Sequence, residues 1–152
     1  MTHPEERLAD LGLAVPEVAK PVASYVPAVR SGNFVFTSGQ LPMRSGELMQ
    51  TGKVGGDVSP DEAVECAQQC ALNAIAAVKA ELGDLELVKR VVKVVVFVAS
   101  TPDFTGQPQV ANGASELFGS VFAEAGVHAR SAVGVPVLPL DAPVEVELVV
   151  EF

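Results

Sequence analysis

Arg130 heads the run Arg130-Ser131-Ala132-Val133, and the chain closes on the alternating stretch Val144-Glu145-Val146-Glu147-Leu148. A guanidinium beside an apolar strand is costly to bury unless an anion meets it. Its planar fork donates two parallel hydrogen bonds, which suits a carboxylate. A carboxylate on the next strand would supply a group for handling protons. These residues point to a pocket for a small carboxylate ligand with an acid close by. An ion pair from Arg130 to Glu145 or Glu147 would use the same residues for structure alone. Alternation also puts Glu145, Glu147 and Glu151 on one strand face, where they read equally as a solvated row.

Other chemistries find little support. Cys66 and Cys70 lie four apart in a helical pattern, half of a metal site, but no His or further Cys completes it. They read as thiols packed on or beside a helix face. With only His3 and His128 present, no Ser/His/Asp set is plausible, and Gly55-Gly56 lacks the Lys-Ser/Thr of a phosphate loop. A net charge of -9 disfavours a nucleic-acid partner, which needs a Lys/Arg footprint. The longest apolar run, 94–99, is too short to span a bilayer, so no membrane association is expected. The N-terminus has no basic region leading into an apolar one, which makes the cytoplasm the default location.

The elements that must position these groups follow from capping and periodicity. The 152 residues, 49% of them hydrophobic, fit one domain with a real core. A short helix is expected over 4–11 and an extended piece over 25–29. A turn over 30–33 then leads to a strand over 34–37, and the two extended pieces make a hairpin. The stretch 39–56 reads as a Gly-rich loop, with room for a short strand. Ser59-Pro60-Asp61-Glu62 is a helix start with a capping box, and Gly83 marks the stop. A Val-rich strand over 91–99 follows, then a second long helix from about 108 to 125. Strands over 131–137 and 144–152 close the chain. This order is α+β, a sheet with two helices on one face. The 91–98 strand is apolar on both sides, so the uncovered sheet face would be a large exposed patch in a monomer. A homo-oligomer that buries it is expected.

Several segments together resemble the Rid family, the reactive imine and enamine deaminases also known as YjgF or L-PSP endoribonuclease. They are Tyr25-Val26, Thr37-Ser38-Gly39-Gln40-Leu41-Pro42, Val94-Val95-Val96-Phe97-Val98, Ala129-Arg130-Ser131-Ala132-Val133, Leu138-Pro139 and Val144-Glu145-Val146-Glu147. Order and spacing match from about Ser24 onward. Residues 1–22 form an N-terminal extension with a short helix, and 23–152 form the single Rid-like domain. The resemblance implies a chorismate-mutase-like fold with a mixed sheet, assembled as a homotrimer. The sheets form an inner barrel, and the ligand clefts lie between subunits. It also implies hydrolysis of 2-aminoacrylate-type enamines and imines to 2-keto acids and ammonia, without metal or organic cofactor. Residue by residue, it assigns Arg130 to carboxylate binding, Glu145 to positioning the attacking water, and Tyr25 to the cleft as a third catalytic group. Ser38, Gly39, Asn112 and Ala132 become substrate-binding positions.

The chain also departs from the family, as a divergent subgroup would. Ala132 stands where deaminating members often carry Cys, so only its backbone N–H could meet a carboxylate there. Gly134 stands where an acid is common. Thr105-Gly106-Gln107-Pro108 looks like a small insertion just before Asn112. Taken without the resemblance, Tyr25 is an ordinary half-buried aromatic and Asn112 a polar helix position. Two functions remain beside imine deamination: a non-catalytic trimeric binder of small carboxylates and, least favoured, an endoribonuclease.

Overall fold

The computed structural model describes residues 2–21 and 23–152. The first element, α1 (Pro4–Asp10), is capped by His3, whose ring accepts the Glu5 N–H. Next come β1 (Ala28–Ser31) and β2 (Phe34–Thr37), joined by the two-residue turn Gly32-Asn33 with Gly32 at φ +58°. The first hairpin strand thus starts later than expected and runs through the residues read as a turn. A left-handed glycine lets two residues close the hairpin where four had been allotted. Tyr25 lies in the bend before β1. The Gly-rich loop holds a small hairpin of β3 (Met43–Arg44) and β4 (Glu47–Leu48).

α2 (Pro60–Leu82) has the expected capping box, with Ser59 Oγ accepting the Glu62 N–H and Glu62 Oε1 accepting the Ser59 N–H. Gly83 ends it at φ +82°. After β5 (Arg90–Ala99), α3 (Gln107–Phe122) gives way to a 3-10 turn over Ala123–Gly126. The helix stops short of its expected end because the chain folds tightly back: a Cβ on Gly126 would meet Phe118 O at 2.3 Å. β6 (Ala129–Val135) starts two residues earlier than expected, so Arg130 lies within it; Pro136, which has no N–H to donate, follows its end. β7 (Val144–Glu151) completes the set.

Apart from the β3–β4 hairpin, the strands form one mixed sheet in the order β1-β2-β7-β5-β6, antiparallel except for the β5–β6 pair. That pair is joined through α3, the crossover that parallel neighbours need. The fold is therefore α+β. A bulge between Val91 and Lys93 resets the side-chain alternation, so Val91, Val94, Val96 and Val98 are all fully buried. They meet Val144, Val146, Leu148 and Val150 of β7 beneath α2 and α3. The other sheet face carries Val29, Phe34, Phe36, Val95, Phe97, Val133 and Val149, with Lys93, Glu145 and Glu147 among them. No helix covers it. Phe36 is 42% exposed and Val133 45%. Among the described residues no helix is long and apolar enough to cross a membrane.

The N-terminal extension is packed into this body. Leu8 is fully buried in the main core, with Leu13 and Val15 against it. Arg7 Nη1 donates to Val121 O at 2.8 Å, Lys79 pairs with Glu5, and His3 Nε2 bonds Asp84 at 2.9 Å. His3, Asp84 and Glu86 are close enough together to suggest a cation site. Both ring nitrogens of His3 are already engaged, however, and Asp84 Oδ1 also accepts the Glu86 N–H. The Asp84 hydrogen bond raises the His3 pKa, as an anchoring contact would.

Candidate active site

Arg130 lies on the helix-side face of β6, opposite Val94, at the edge of the sheet. α3 runs alongside and supplies three partners. Arg130 Nη1 donates to Asn112 Oδ1 at 2.8 Å and to Ser115 Oγ at 3.2 Å, and Nη2 donates to Pro108 O at 3.3 Å. Asn112 and Ser115 are three apart and so share a helix face. All three partners are neutral. Among the described residues no carboxylate pairs with Arg130, which rules out the structural ion pair with Glu145 or Glu147. A guanidinium has five N–H donors. With three engaged, the Nε–H and one Nη2–H remain, which is one fork for a carboxylate. Ala132, two residues along the same face, is half-buried beside it.

A second tier steadies this group. Ser115 Oγ accepts from Arg130 and lies 2.9 Å from His128 Nε2, while His128 Nδ1 lies 2.6 Å from Gly126 O. A carbonyl can only accept, so Nδ1 carries a proton; in the neutral ring Nε2 then accepts and the Ser115 hydroxyl donates to it. Phe118 meets the imidazole edge-on at 6.1 Å. Ser115 and His128 were not singled out in the sequence. The helical step from Asn112 to Ser115 was the available signal, but the His128 contact depends on how β6 docks on α3. His128→Phe should keep the aromatic contact and lose the hydrogen bond. The expected result is a several-fold weaker carboxylate affinity with an unchanged fold, read by calorimetry and thermal melting; His128→Asn should restore part of the affinity.

Glu145 lies elsewhere. The β2–β7 ladder opens after Phe36↔Val149, where Thr37 Oγ1 takes the Leu148 N–H at 3.0 Å, and closes again at the Gln40↔Val146 bridge. Ser38 and Gly39 cross this gap. A Cβ on Gly39 would sit 2.0 Å from Glu145 Oε1, so the carboxylate rests on bare backbone. Only glycine admits that approach. Ser38 Oγ donates to Val26 O at 2.6 Å and Ser38 N to Pro27 O at 2.8 Å, which ties the segment after Tyr25 to the same place. Tyr25 and Gly39 share a cavity of about 40 Å³ with Pro27, Gln40 and Leu41. That is enough to admit water. Glu145 is half-buried, and its carboxylate accepts no hydrogen bond from a described residue. Burial, with a smaller push from Glu147, raises its pKa. A carboxylate with open lone pairs and a raised pKa is suited to orient a water and take its proton.

The expected site residues thus fall into two groups: Arg130, Asn112 and Ala132 in one, and Tyr25, Ser38, Gly39 and Glu145 in the other. The reading of β6 and β7 as direct neighbours is corrected by the sheet order, in which β5 lies between them. Arg130 aligns with Val94 and Glu145 with Phe97, and the two side chains leave opposite faces of the sheet. Two strand spacings and three residues of rise separate their Cα atoms by roughly 14 Å. One chain cannot bring both groups to a ligand of a few atoms.

The larger clefts lie outside both groups. One of about 1030 Å³ is bordered by Arg7, Lys89 and Glu124, and another of about 800 Å³ lies between residues 12–20 and α2. The cysteines are fully buried in the core; burial pushes the Cys66 thiol up to about 11, and Cys70 also rises. Neither is placed as a reactive thiolate.

Comparison with known proteins gives one consistent result. The family model described as YjgF/chorismate mutase-like, with an endoribonuclease label, matches residues 5–152. Protein TCP17 of Trypanosoma cruzi is 48% identical over 146 residues, 95% of this chain and 91% of that protein. A 2-iminobutanoate/2-iminopropanoate deaminase of Dermatophagoides farinae is 34% identical over 140 residues, 91% of this chain and 93% of that one. The crystal structure of Atu1372 from Agrobacterium tumefaciens, described as of unknown function, superposes with a TM-score of 0.93 at 48% identity. It covers 98% of this chain and 92% of its own.

Proposed function

Because this chain belongs to the YjgF/chorismate mutase-like family, we propose that it hydrolyses reactive 2-imino acids and their enamine tautomers. The products are a 2-keto acid and ammonia. The observation that carries this reading is Arg130, a guanidinium held by neutral partners with one bidentate fork unspent. The names of relatives at about a third identity support the reaction class.

The chemistry is a hydration followed by an elimination. Arg130 takes the substrate carboxylate and so fixes the C=N carbon in place. Water adds to that carbon, giving up one proton to Glu145, while the C=N π electrons move to nitrogen, which is protonated. The resulting carbinolamine collapses: its hydroxyl proton passes through Glu145 to the amine nitrogen, the oxygen forms the C=O bond, and the C–N bond breaks to release ammonia. Glu145 is the group able to take and return that proton. Imines are already electrophilic, so positioning supplies much of what is needed.

We place the complete cleft between copies, in a homotrimer. The Arg130–Asn112 group of one copy would face the Tyr25–Gly39–Glu145 group of the next. Two observations support this: the separation of the two groups within a chain, and the apolar sheet face that no helix covers. The non-catalytic carboxylate binder is the second reading. It shares Arg130 and differs only in giving Glu145 no water to aim. The endoribonuclease label of the family fits poorly with a chain of net charge -9. The deciding experiment generates 2-aminoacrylate in a coupled assay and follows its decay with purified protein. Acceleration is expected. Decay of small, branched and aromatic imines at the uncatalysed rate, with 2-keto acids still bound, would leave the binder reading.

A further inference from the structure

The start of α3 brings a side chain to the same face of β6 as Arg130. Gln107, at the start of α3, folds back toward β6. Its Nε2 donates to Phe104 O at 2.8 Å and to Ser100 Oγ at 3.3 Å. The Ser100 hydroxyl donates onward to Val98 O at 2.9 Å, so its oxygen serves as the acceptor. Two acceptors around one end of the amide fix that end as nitrogen. The other end, Oε1, has no partner among the described residues and is not a buried orphan, so it reaches solvent.

Gly134 provides the seat. A Cβ there would lie 2.8 Å from Gln107 Nε2. Arg130, Ala132 and Gly134 share one face of β6, being aligned with Val94, Val96 and Val98. Pro108, next to Gln107, is itself bonded to Arg130. Along this strip stand a guanidinium, a methyl and an amide, in that order. Four residues of strand separate the Arg130 and Gly134 Cα atoms by about 13 Å. Pro108 O holds the guanidinium beside the residue next to Gln107, so the two groups flank a space on the scale of a ligand of a few heavy atoms. The small residues Ala132 and Gly134 leave the room that the amide occupies.

We propose that Gln107 is a specificity-determining residue. With the substrate carboxylate on Arg130, Oε1 accepts a hydrogen bond from an N–H or O–H at the end of the substrate side chain. The favoured substrates are 2-imino acids with a hydroxyl- or amide-bearing side chain, over aliphatic ones of equal size. An aliphatic ligand would cover the amide oxygen without replacing the water it loses, and an unsatisfied acceptor is penalised. This rests on the carboxylate-site reading above.

The test is calorimetry with two isosteric keto acids, 4-hydroxy-2-oxobutanoate and 2-oxopentanoate. Wild type should bind the hydroxylated one about tenfold tighter, the scale of one modest hydrogen bond. Gln107→Leu should bring the ratio to about one, weakening the hydroxylated ligand and, with the unsatisfied acceptor gone, tightening 2-oxopentanoate. Gly134→Ala is an independent second variant. Gly134 is not in the left-handed region, so the new methyl strains only the movable end of Gln107, and the ratio should again fall. Equal affinity for both ligands in wild type, or a ratio that survives both substitutions, overturns the role of Gln107 and leaves the carboxylate site standing. Binding of neither keto acid overturns the carboxylate site, and the assignment of Gln107 with it.

Discussion

Arg130→Ala is expected to lower the affinity for pyruvate and other small keto acids by about 100-fold or more, since each of the fork's two hydrogen bonds between charged groups is worth about 1.5–3 kcal/mol. The fold should survive. Arg130 sits at a sheet edge and bonds only to neutral groups, one of them the exposed Asn112. Removing it leaves no buried charge without a partner, the situation that makes a broken internal ion pair cost about 3–5 kcal/mol. Lysine is a poor replacement, because one ammonium cannot both hold the α3 partners and present a planar fork. Calorimetry on Arg130→Ala and Arg130→Lys, beside thermal melts, checks this. Unchanged affinity, or a melting point lowered as far as a core truncation would lower it, would contradict the assignment.

Glu145→Gln should reduce kcat by about 100-fold or more while changing KM little, the pattern of a group used in the transition state. The amide keeps the shape over Gly39 but is a poor base. In the wild type, activity should fall on the acid side through a pKa higher than that of an exposed glutamate, since burial raises that of Glu145. The effect on stability has the opposite sign. A carboxyl whose pKa is raised by folding is penalised when ionised, so the folded state loses stability as pH rises from the unfolded pKa through the folded one. Glu145→Gln should therefore melt at or above the wild-type temperature at neutral pH. That advantage should vanish once both states are protonated, below the ordinary carboxylate range. A variant that is slower and less stable at neutral pH would point to a structural role for Glu145.

How much of this was legible in the residues differs by element. Ser59-Pro60-Asp61-Glu62 announces α2 because capping is local chemistry among neighbours, and the alternation of β7 shows which side of it is buried. The pairing of strands is not local. β6 and β7 are consecutive, and reading them as neighbours was the natural default. The α3 crossover instead lays β6 on the far side of β5, which moves Arg130 away from Glu145. The value of Gly39 was visible only as part of a motif; its physical reason, a carboxylate lying on its Cα, needs the third dimension. His128 and Gln107 escaped notice for the same cause. Each acts across the α3–β6 seam through bonds that no spacing rule encodes.

The opposite-face placement of Arg130 and Glu145 has a genetic consequence. If the two halves of a cleft come from different copies, lesions in them should complement. An Arg130→Ala chain keeps a sound Glu145 half, and a Glu145→Gln chain keeps a sound Arg130 half. Mixed, unfolded and reassembled together, the two inactive proteins should regain activity. In a ring of three with random mixing, about a quarter of the clefts would join two intact halves. The double variant supplies neither half, so mixing it with either single variant should restore no activity. Two alleles that each abolish activity could thus yield a working enzyme in one cell.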